Sequence, residues 1–272
     1  MHSGVEATAY LVNESRARRP DLSQDPFAGA WIPDQERPAV RGLWNKYAEV
    51  TYEHDDLVVS LRGRYIADTL AAQLRKDPDT VLVSCGAGFS SYPWLLPFAA
   101  ALEADLPAMA EAKRERAAEL TAAGVLPERD VRHVPVDLND AAARAELSSL
   151  VREWADGRPV AYVAEGVVFY LPARTARAVT TLGATFGTCA VSAVSYWPAA
   201  SAGSQVLADQ RDWFRSRSVP EEASFLTHDE LVTLFGTEIE DRGPEDLQRH
   251  YLDRVIVSEA GLIPEYVAVA WT

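Results

Sequence analysis

The sequence predicts an α/β fold, a mostly parallel sheet of seven strands with helices on both faces, and three observations predict it. From Thr80 onward short apolar runs alternate with helical stretches, the pattern of strands joined by crossover helices. The first run, VLVSCGAGFSS from Val81 to Ser91, turns through glycines directly into the next segment. The chain has 272 residues, 48% of them hydrophobic, enough to bury the core of one large α/β unit. The arrangement is Rossmann-like, extended by an N-terminal helical cover and a lid insertion.

The elements follow in order. ATAYLVNESRAR and DDLVVSLRGRYIADTLAAQL carry apolar residues at helical spacing, and between them Pro20, Pro26, Pro33 and Pro38 punctuate a loop with exposed or partly buried aromatics. Val81–Ser84 is the first strand and Ala99–Glu103 a weaker second one. A helix opens with Pro107 at its first position and ends before Gly124. Val131–Val136 is the third strand. Asn139 or Asp140 caps the helix AAARAELSSLVREWA, which stops at Gly157, and Val160–Ala164 is the fourth strand. Another helix starts near Pro172, and Cys189–Tyr196 is the fifth strand.

The stretch from Trp197 to Phe225 is too polar and aromatic-rich for a simple linker and is expected to cover a site. Thr227 and Glu230 have capping-box spacing before LVTLF, Gly236 ends that helix, and strands are expected near Thr237–Glu240 and at Tyr266–Trp271. The expected organisation is a single domain over 1–272: a helical cover (1–76), a ligand-binding core (77–196), the lid insertion (197–230) and the C-terminal end of the sheet (231–272).

Composition narrows the function classes. The formal net charge is −14, and Lys46, Lys76 and Lys113 are the only lysines, so no basic stripe exists to neutralise a phosphate backbone. No nucleic-acid partner is expected. No apolar run reaches the roughly 18 residues of a membrane span, and the N-terminus lacks a leader pattern, so a cytoplasmic protein without membrane association is expected. Cys85 and Cys189 lie far apart in apolar segments, as free thiols would.

In a doubly wound sheet a ligand sits beyond the carboxyl ends of the strands. After the first strand, Gly86-Ala87-Gly88 lets the backbone approach a ligand closely. After the second, Asp105 lies 19 residues beyond Gly86, where an acidic residue meets ribose hydroxyls, with Leu106 next to it. Glu103 is a competitor one strand repeat earlier. After the third, Asp137-Leu138 is placed either to receive and pack an adenine or to cap the next helix. After the fourth, Glu165-Gly166 ends an apolar run with a carboxylate that needs a partner, either a ligand ammonium group or an arginine.

Carboxylates gathered around one glycine turn would repel a pyrophosphate and suit the cationic sulfonium of S-adenosylmethionine. A nicotinamide cofactor fits less well, because Ser91 occupies the third position of G-x-G-x-x-G and no Tyr-x-x-x-Lys pair is present.

The segments SLRGRYIAD (60–68), CGAGFSSYPWLL (85–96), EADLPAMAEAKRER (103–116), VPVDLND (134–140) and AEGVVFYLP (164–172) together resemble the leucine carboxyl methyltransferase family, including bacterial polyketide carboxyl O-methyltransferases of the tetracenomycin type. The resemblance runs from about Tyr10 to the fifth strand. It implies S-adenosylmethionine as cofactor and S-adenosylhomocysteine as product. It further implies that Gly86 and Gly88 line the methionyl part, Asp105 the ribose, Asp137 and Leu138 the adenine, and Glu165 the methionyl end. An arginine of LRGRY would pair with the methionyl carboxylate. Arg62 and Arg64 lie about 200° apart around a helix, so they cannot both face inward. One departure stands out: where the family has Asp-Thr-Arg after its glycine turn, this chain has Ser90-Ser91-Tyr92.

Methyl transfer needs alignment and water exclusion more than bond-making groups. Transfer to a carboxylate of a small molecule of secondary-metabolite type or of a peptide end is expected, since that acceptor arrives ionised at neutral pH; the alternative, a hydroxyl acceptor, would draw on a base such as histidine. The five histidines have no metal-binding spacing, and no metal is expected. Tyr170 is a candidate to hydrogen-bond the acceptor; Trp197, Trp213 and Phe214 are candidates to wall its pocket, and Arg211 to hold an anionic substrate. A module that binds the adenosyl ligand without catalysis is the alternative from another class. Oligomeric state has no signal in the sequence.

Overall fold

The computed structural model describes residues 5–217 and 223–272, so positions 218–222 of the expected lid insertion, like His2, lie outside the described residues. In chain order the elements are α1 (Val5–Arg18), α2 (Pro20–Ser23), α3 (Arg37–Val50), α4 (Asp55–Lys76), β1 (Val81–Cys85), α5 (Tyr92–Leu95), β2 (Ala101–Asp105), α6 (Pro107–Ala122), β3 (Val131–Pro135) and α7 (Ala141–Ala155). They continue as β4 (Val160–Ala164), α8 (Ala173–Thr180), β5 (Cys189–Pro198), α9 (Gln205–Arg215), β6 (Phe225–Leu226), α10 (His228–Phe235), β7 (Ile239–Arg242), α11 (Pro244–Leu252) and β8 (Tyr266–Trp271).

The strands lie in the order β3-β2-β1-β4-β5-β8-β7, with β8 antiparallel to both of its neighbours. The two-residue β6 pairs with the end of β5. The order reverses between β1 and β4, so their carboxyl ends open onto the crevice where such sheets take ligands.

Strand side chains alternate between faces, and the core divides accordingly. Leu82, Ala161, Val163, Val191, Ala193, Val267 and Val269 pack on one face with α4 residues and Leu247 of α11. Val81, Val83, Cys85, Val160, Tyr162 and Ala164 pack on the other with Leu147 and Val151 of α7, Val179 of α8 and Leu231 of α10. Both cysteines are free. Local signals work as expected at helix starts: Asp140 caps α7 by accepting the Ala142 amide at 2.8 Å, and Thr227 and Glu230 form the reciprocal box at α10.

Four segments differ from expectation. Arg37–Val50, within the proline-punctuated stretch, is helical, with Pro38 in its first turn, where a missing N–H costs nothing. Its Trp44 and Tyr47 are buried, as is Trp31 before it, so these aromatics form core rather than a partly exposed loop. A helix also starts at Pro244. The second strand spans Ala101–Asp105, because the ladder with β1 opens at Leu82 opposite Ala101. The fifth strand runs through Trp197, whose backbone pairs with Phe225.

Helix α4 is buried over most of its length, and Ile66 and Leu70 are fully enclosed. Removing either side chain leaves a cavity that the sheet and helices on both sides cannot collapse. Ile66→Ala or Leu70→Ala is expected to lower the unfolding free energy by about 2–5 kcal/mol, measured by urea denaturation.

Candidate active site

A cavity of about 290 Å³ opens at the carboxyl ends of β1, β2, β3 and β4. Its roof comes from α1, α4 and α9. Three helical stripes line it by spacing alone: Ala9, Asn13 and Arg16 on α1; Asp55, Val59 and Arg62 on α4; Gln210 and Phe214 on α9.

The glycine turn forms one wall. Gly86 and Gly88 have φ of +64° and +44°, a conformation that L side chains rarely adopt, and a Cβ on Gly86 would stand 2.8 Å from the Val167 side chain. The Asp105 carboxylate accepts the Gly88 and Leu106 amides, each at 2.7 Å, which pins the turn to the end of β2. Burial pushes its pKa up, and the two amides partly offset this. Each Asp105 oxygen keeps a lone pair for a ligand. Its competitor, Glu103, is buried in an ion pair with Lys113 at 2.6 Å and does not line the cavity. Ala87, Leu106, Asp137, Leu138 and Gly166 all line it. Asp137 accepts the Asn139 amide at 2.9 Å within its own turn, and the cap of α7 is Asp140, so capping does not occupy Asp137.

Glu165 is the most heavily bonded side chain of the site. Its Oε1 accepts from Arg16 at 2.6 Å and Arg62 at 2.8 Å, and its Oε2 accepts from the Tyr92 hydroxyl at 2.6 Å. Arg62 also bonds Glu265 through Nη1. Burial alone would raise the Glu165 pKa, but the charges of Arg16 and Arg62, with hydrogen bonds from Arg16 and Tyr92, hold it at about 2. Of the two partner types open for this carboxylate in the sequence, the fold supplies arginine. Gly63 makes the arrangement possible, since a Cβ there would lie 2.8 Å from Arg16 Nη2.

At the opposite end stands Asp55. Its Oδ2 accepts from Ser15 at 2.5 Å, while the Tyr47 hydroxyl lies 3.5 Å from Oδ1, at the outer limit of a hydrogen bond. Gln210 donates to the Tyr47 hydroxyl at 3.0 Å. Burial raises Asp55 to about 6, against the lowering pull of Ser15 and Arg62. Tyr170 and Phe169 line the cavity here, with the Tyr170 and Phe214 rings 6.3 Å apart.

Four expected site residues stand outside the lining. Arg64 points away from the cavity towards Asp68 and the Tyr251 ring, as its angle from Arg62 around α4 requires. Trp197 is a fully buried strand residue stacked on Phe169 at 4.4 Å. On α9 the stripe of Gln210 and Phe214 faces in, which turns Arg211 and Trp213 to the flanks; Trp213 packs behind Tyr47 at 4.8 Å.

Arg16, Asn13, Asp55, Tyr47, Gln210 and Glu265 line the site without having been singled out in the sequence. The available signal was polar residues at i, i+3 and i+7 spacing on otherwise apolar helix faces. Tyr92, which in the sequence is only a departure from a family pattern, bonds Glu165, and Ser91 bonds Trp31. Among the described residues, no group of three or more His, Cys, Asp or Glu is placed to hold a metal ion, and no helix is long and apolar enough to cross a membrane.

Comparison with known proteins places the chain in a family and agrees with its fold. Residues 5–182 match the family model described as leucine carboxyl methyltransferase. A protein of Mycobacterium sp. (strain KMS), named as an inferred S-adenosyl-L-methionine-dependent methyltransferase, is 32% identical over 192 residues, spanning 62% of this chain and 58% of that protein. The match thus covers less than two thirds of that relative's length. A second protein of the same strain and name is 30% identical over 253 residues, 83% of this chain and 77% of its own. Among solved structures, a DUF574 family protein from Streptomyces avermitilis MA-4680 has a TM-score of 0.66 at 16% identity, covering 99% of this chain and 98% of that one, which shows a shared fold.

The Glu165 cluster generates a stability prediction. A carboxyl held at about 2 when folded, against an ordinary value of 4.5, contributes stability that is present above about pH 4.5 and lost as pH falls towards 2. The contribution is on the order of 3 kcal/mol. Glu165→Gln is therefore expected to lower the unfolding free energy at pH 7 by about 3–5 kcal/mol. The difference from wild type should shrink between pH 5 and pH 2, read by denaturant titrations across that range.

Proposed function

Since the chain belongs to the leucine carboxyl methyltransferase family, we propose that it transfers the methyl group of S-adenosylmethionine to an oxygen of a small molecule or peptide end, releasing S-adenosylhomocysteine. The observation that carries this reading is the pairing of a positive-φ glycine turn with Asp105, whose oxygens remain open to ribose hydroxyls. The bound cofactor supplies an activated methyl group on a cationic sulfur.

The residues present fit that ligand. Asp105 would hold the ribose, Asp137 and Leu138 the adenine, and the glycine turn the methionyl chain. Arg62 uses Nε and Nη1 on Glu165 and Glu265, and its Nη2 lies beside Gly166, where it would meet the methionyl carboxylate. In this arrangement Glu165 positions the two arginines rather than meeting the ligand ammonium alone. The cavity's carboxylates outnumber Arg16 and Arg62, a balance that suits a cationic sulfur and disfavours pyrophosphate. The N-terminal helices and the insertion would form the acceptor side, with Tyr170 beside the acceptor. A carboxylate acceptor, which the family name suggests, would need no base, whereas a hydroxyl acceptor would need one at the acceptor end.

Calorimetric titration with S-adenosylhomocysteine tests the cofactor site. Asp105→Ala is expected to weaken binding by about 30-fold to 150-fold, from two lost hydrogen bonds at about 1–1.5 kcal/mol each, with urea unfolding checking that the variant folds. A mass gain of one methyl on an acceptor, dependent on S-adenosylmethionine, tests the transfer. Tight binding without turnover across a broad acceptor set would point to a non-catalytic adenosyl-binding module.

A further inference from the structure

The acceptor end of the cavity carries two buried hydrogen-bond acceptors with unused capacity. Gln210, 3% exposed, gives its amide nitrogen to Tyr47, and among the described residues its Oε1 has no partner. Among the described residues Asp55 Oδ1 has only the distant Tyr47 hydroxyl. Buried acceptors left unpaired are costly, and a ligand that brings a donor removes the cost. The cavity-lining cations, Arg16 and Arg62, are both engaged by carboxylates. Among the described residues that line the cavity, no cation without a carboxylate partner is left to offset Asp55, which an anionic acceptor would meet at this end. The walls here are aromatic: Tyr47, Phe169, Tyr170 and Phe214. None of the described histidines lines the cavity, so a base must come from elsewhere.

We propose that the methyl acceptor is a hydroxyl-bearing aromatic molecule, with Asp55 receiving the hydroxyl proton and Gln210 accepting a further hydrogen bond. This rests on the methyl-transfer reading above. The acceptor oxygen bonds the methyl carbon as that carbon's bond to sulfur breaks. The hydroxyl proton passes to Asp55 Oδ1, leaving a neutral ether, a neutral thioether and a protonated carboxyl that returns its proton to solvent after release. The groups that face Asp55 are Arg62 and Asp56 from its own helix, Tyr47 and Tyr52 from α3 and the turn after it, and Ser15 from α1; Gln210 of α9 acts through Tyr47. Burial holds the carboxyl at about 6, high enough to take up a proton and low enough to be ionised at neutral pH.

The test uses the full chain saturated with S-adenosylhomocysteine and two matched probe pairs, 2-naphthol with 2-naphthoate and 4-ethylphenol with 4-ethylbenzoate, titrated by ligand-observed NMR. The phenols are expected to bind at least tenfold tighter than the acids, and Asp55→Asn and Gln210→Leu to weaken phenol binding at least fivefold while leaving S-adenosylhomocysteine affinity unchanged. With S-adenosylmethionine, methylation of a phenol should rise with pH through about 6 in the wild type and lose that step in Asp55→Asn. Stability gives a readout independent of ligand. A carboxyl whose folded value lies above its unfolded one loses stabilisation as pH rises from about 4 to about 6, so Asp55→Asn should gain in melting temperature over wild type across that interval. Equal or tighter binding of the acids, binding of neither class, or phenol binding indifferent to Asp55 and Gln210 overturns the assignment while the cofactor site stands. Failure to bind S-adenosylhomocysteine overturns the methyl-transfer reading and this one with it.

Discussion

Glu165 ends β4, and three side chains converge on it: Arg16 from α1, Arg62 from α4 and Tyr92 from the segment after the glycine turn. Those residues belong to four separate stretches of chain, so one carboxylate ties the N-terminal cover to the sheet beside the crevice. Buried charges persist only when each is matched and hydrogen-bonded, and the match here is close to complete. Burial and the neighbouring carboxylate also push the Tyr92 pKa well up, which keeps its phenol a donor. Arg16, Arg62 and Glu165 all line the cavity, and the groups on its two sides differ.

On one side are backbone groups and carboxylates at strand ends: Gly86, Gly88, Asp105 and Asp137. This half depends on the parallel sheet, since four strands ending at one edge deliver four loops to one place. On the other side are helix-borne groups: Asp55, Tyr47, Gln210 and Phe214. This half depends on how α1, α3, α4 and α9 are docked, and its polar groups bond mostly one another. On the proposed reading, the first half would receive the cofactor and the second would discriminate among acceptors.

How far each half was legible follows from how its residues signal. A glycine at positive φ, an acidic residue at the end of an apolar run and a cap before a helix are local features, and they can be read without knowing what lies opposite. Asp105 and Gly86 were therefore visible in the chain. Arg16 was not, because an arginine in an amphipathic helix looks the same whether it meets water or Glu165. Pro38 misled for a related reason: a proline marks a break equally well whether a loop or a helix follows. Trp197 and Trp213 signalled a large aromatic surface but not its direction, and both turned into core packing.

By itself the sequence determined most of the strand and helix pattern, the glycine turn and the run of carboxylates at strand ends, because period, turn chemistry and burial preference act over a few residues. Only the tertiary structure decided that Arg62 rather than Arg64 faces the cavity, that Glu165 is answered by arginines from α1 and α4, and that Asp55 and Gln210 line the cavity together. Those outcomes depend on which helix faces are pressed together across 40 to 200 residues of chain. No local rule specifies that contact; the shared burial of an apolar core does, and the charges are then paired by whatever that packing brings within reach.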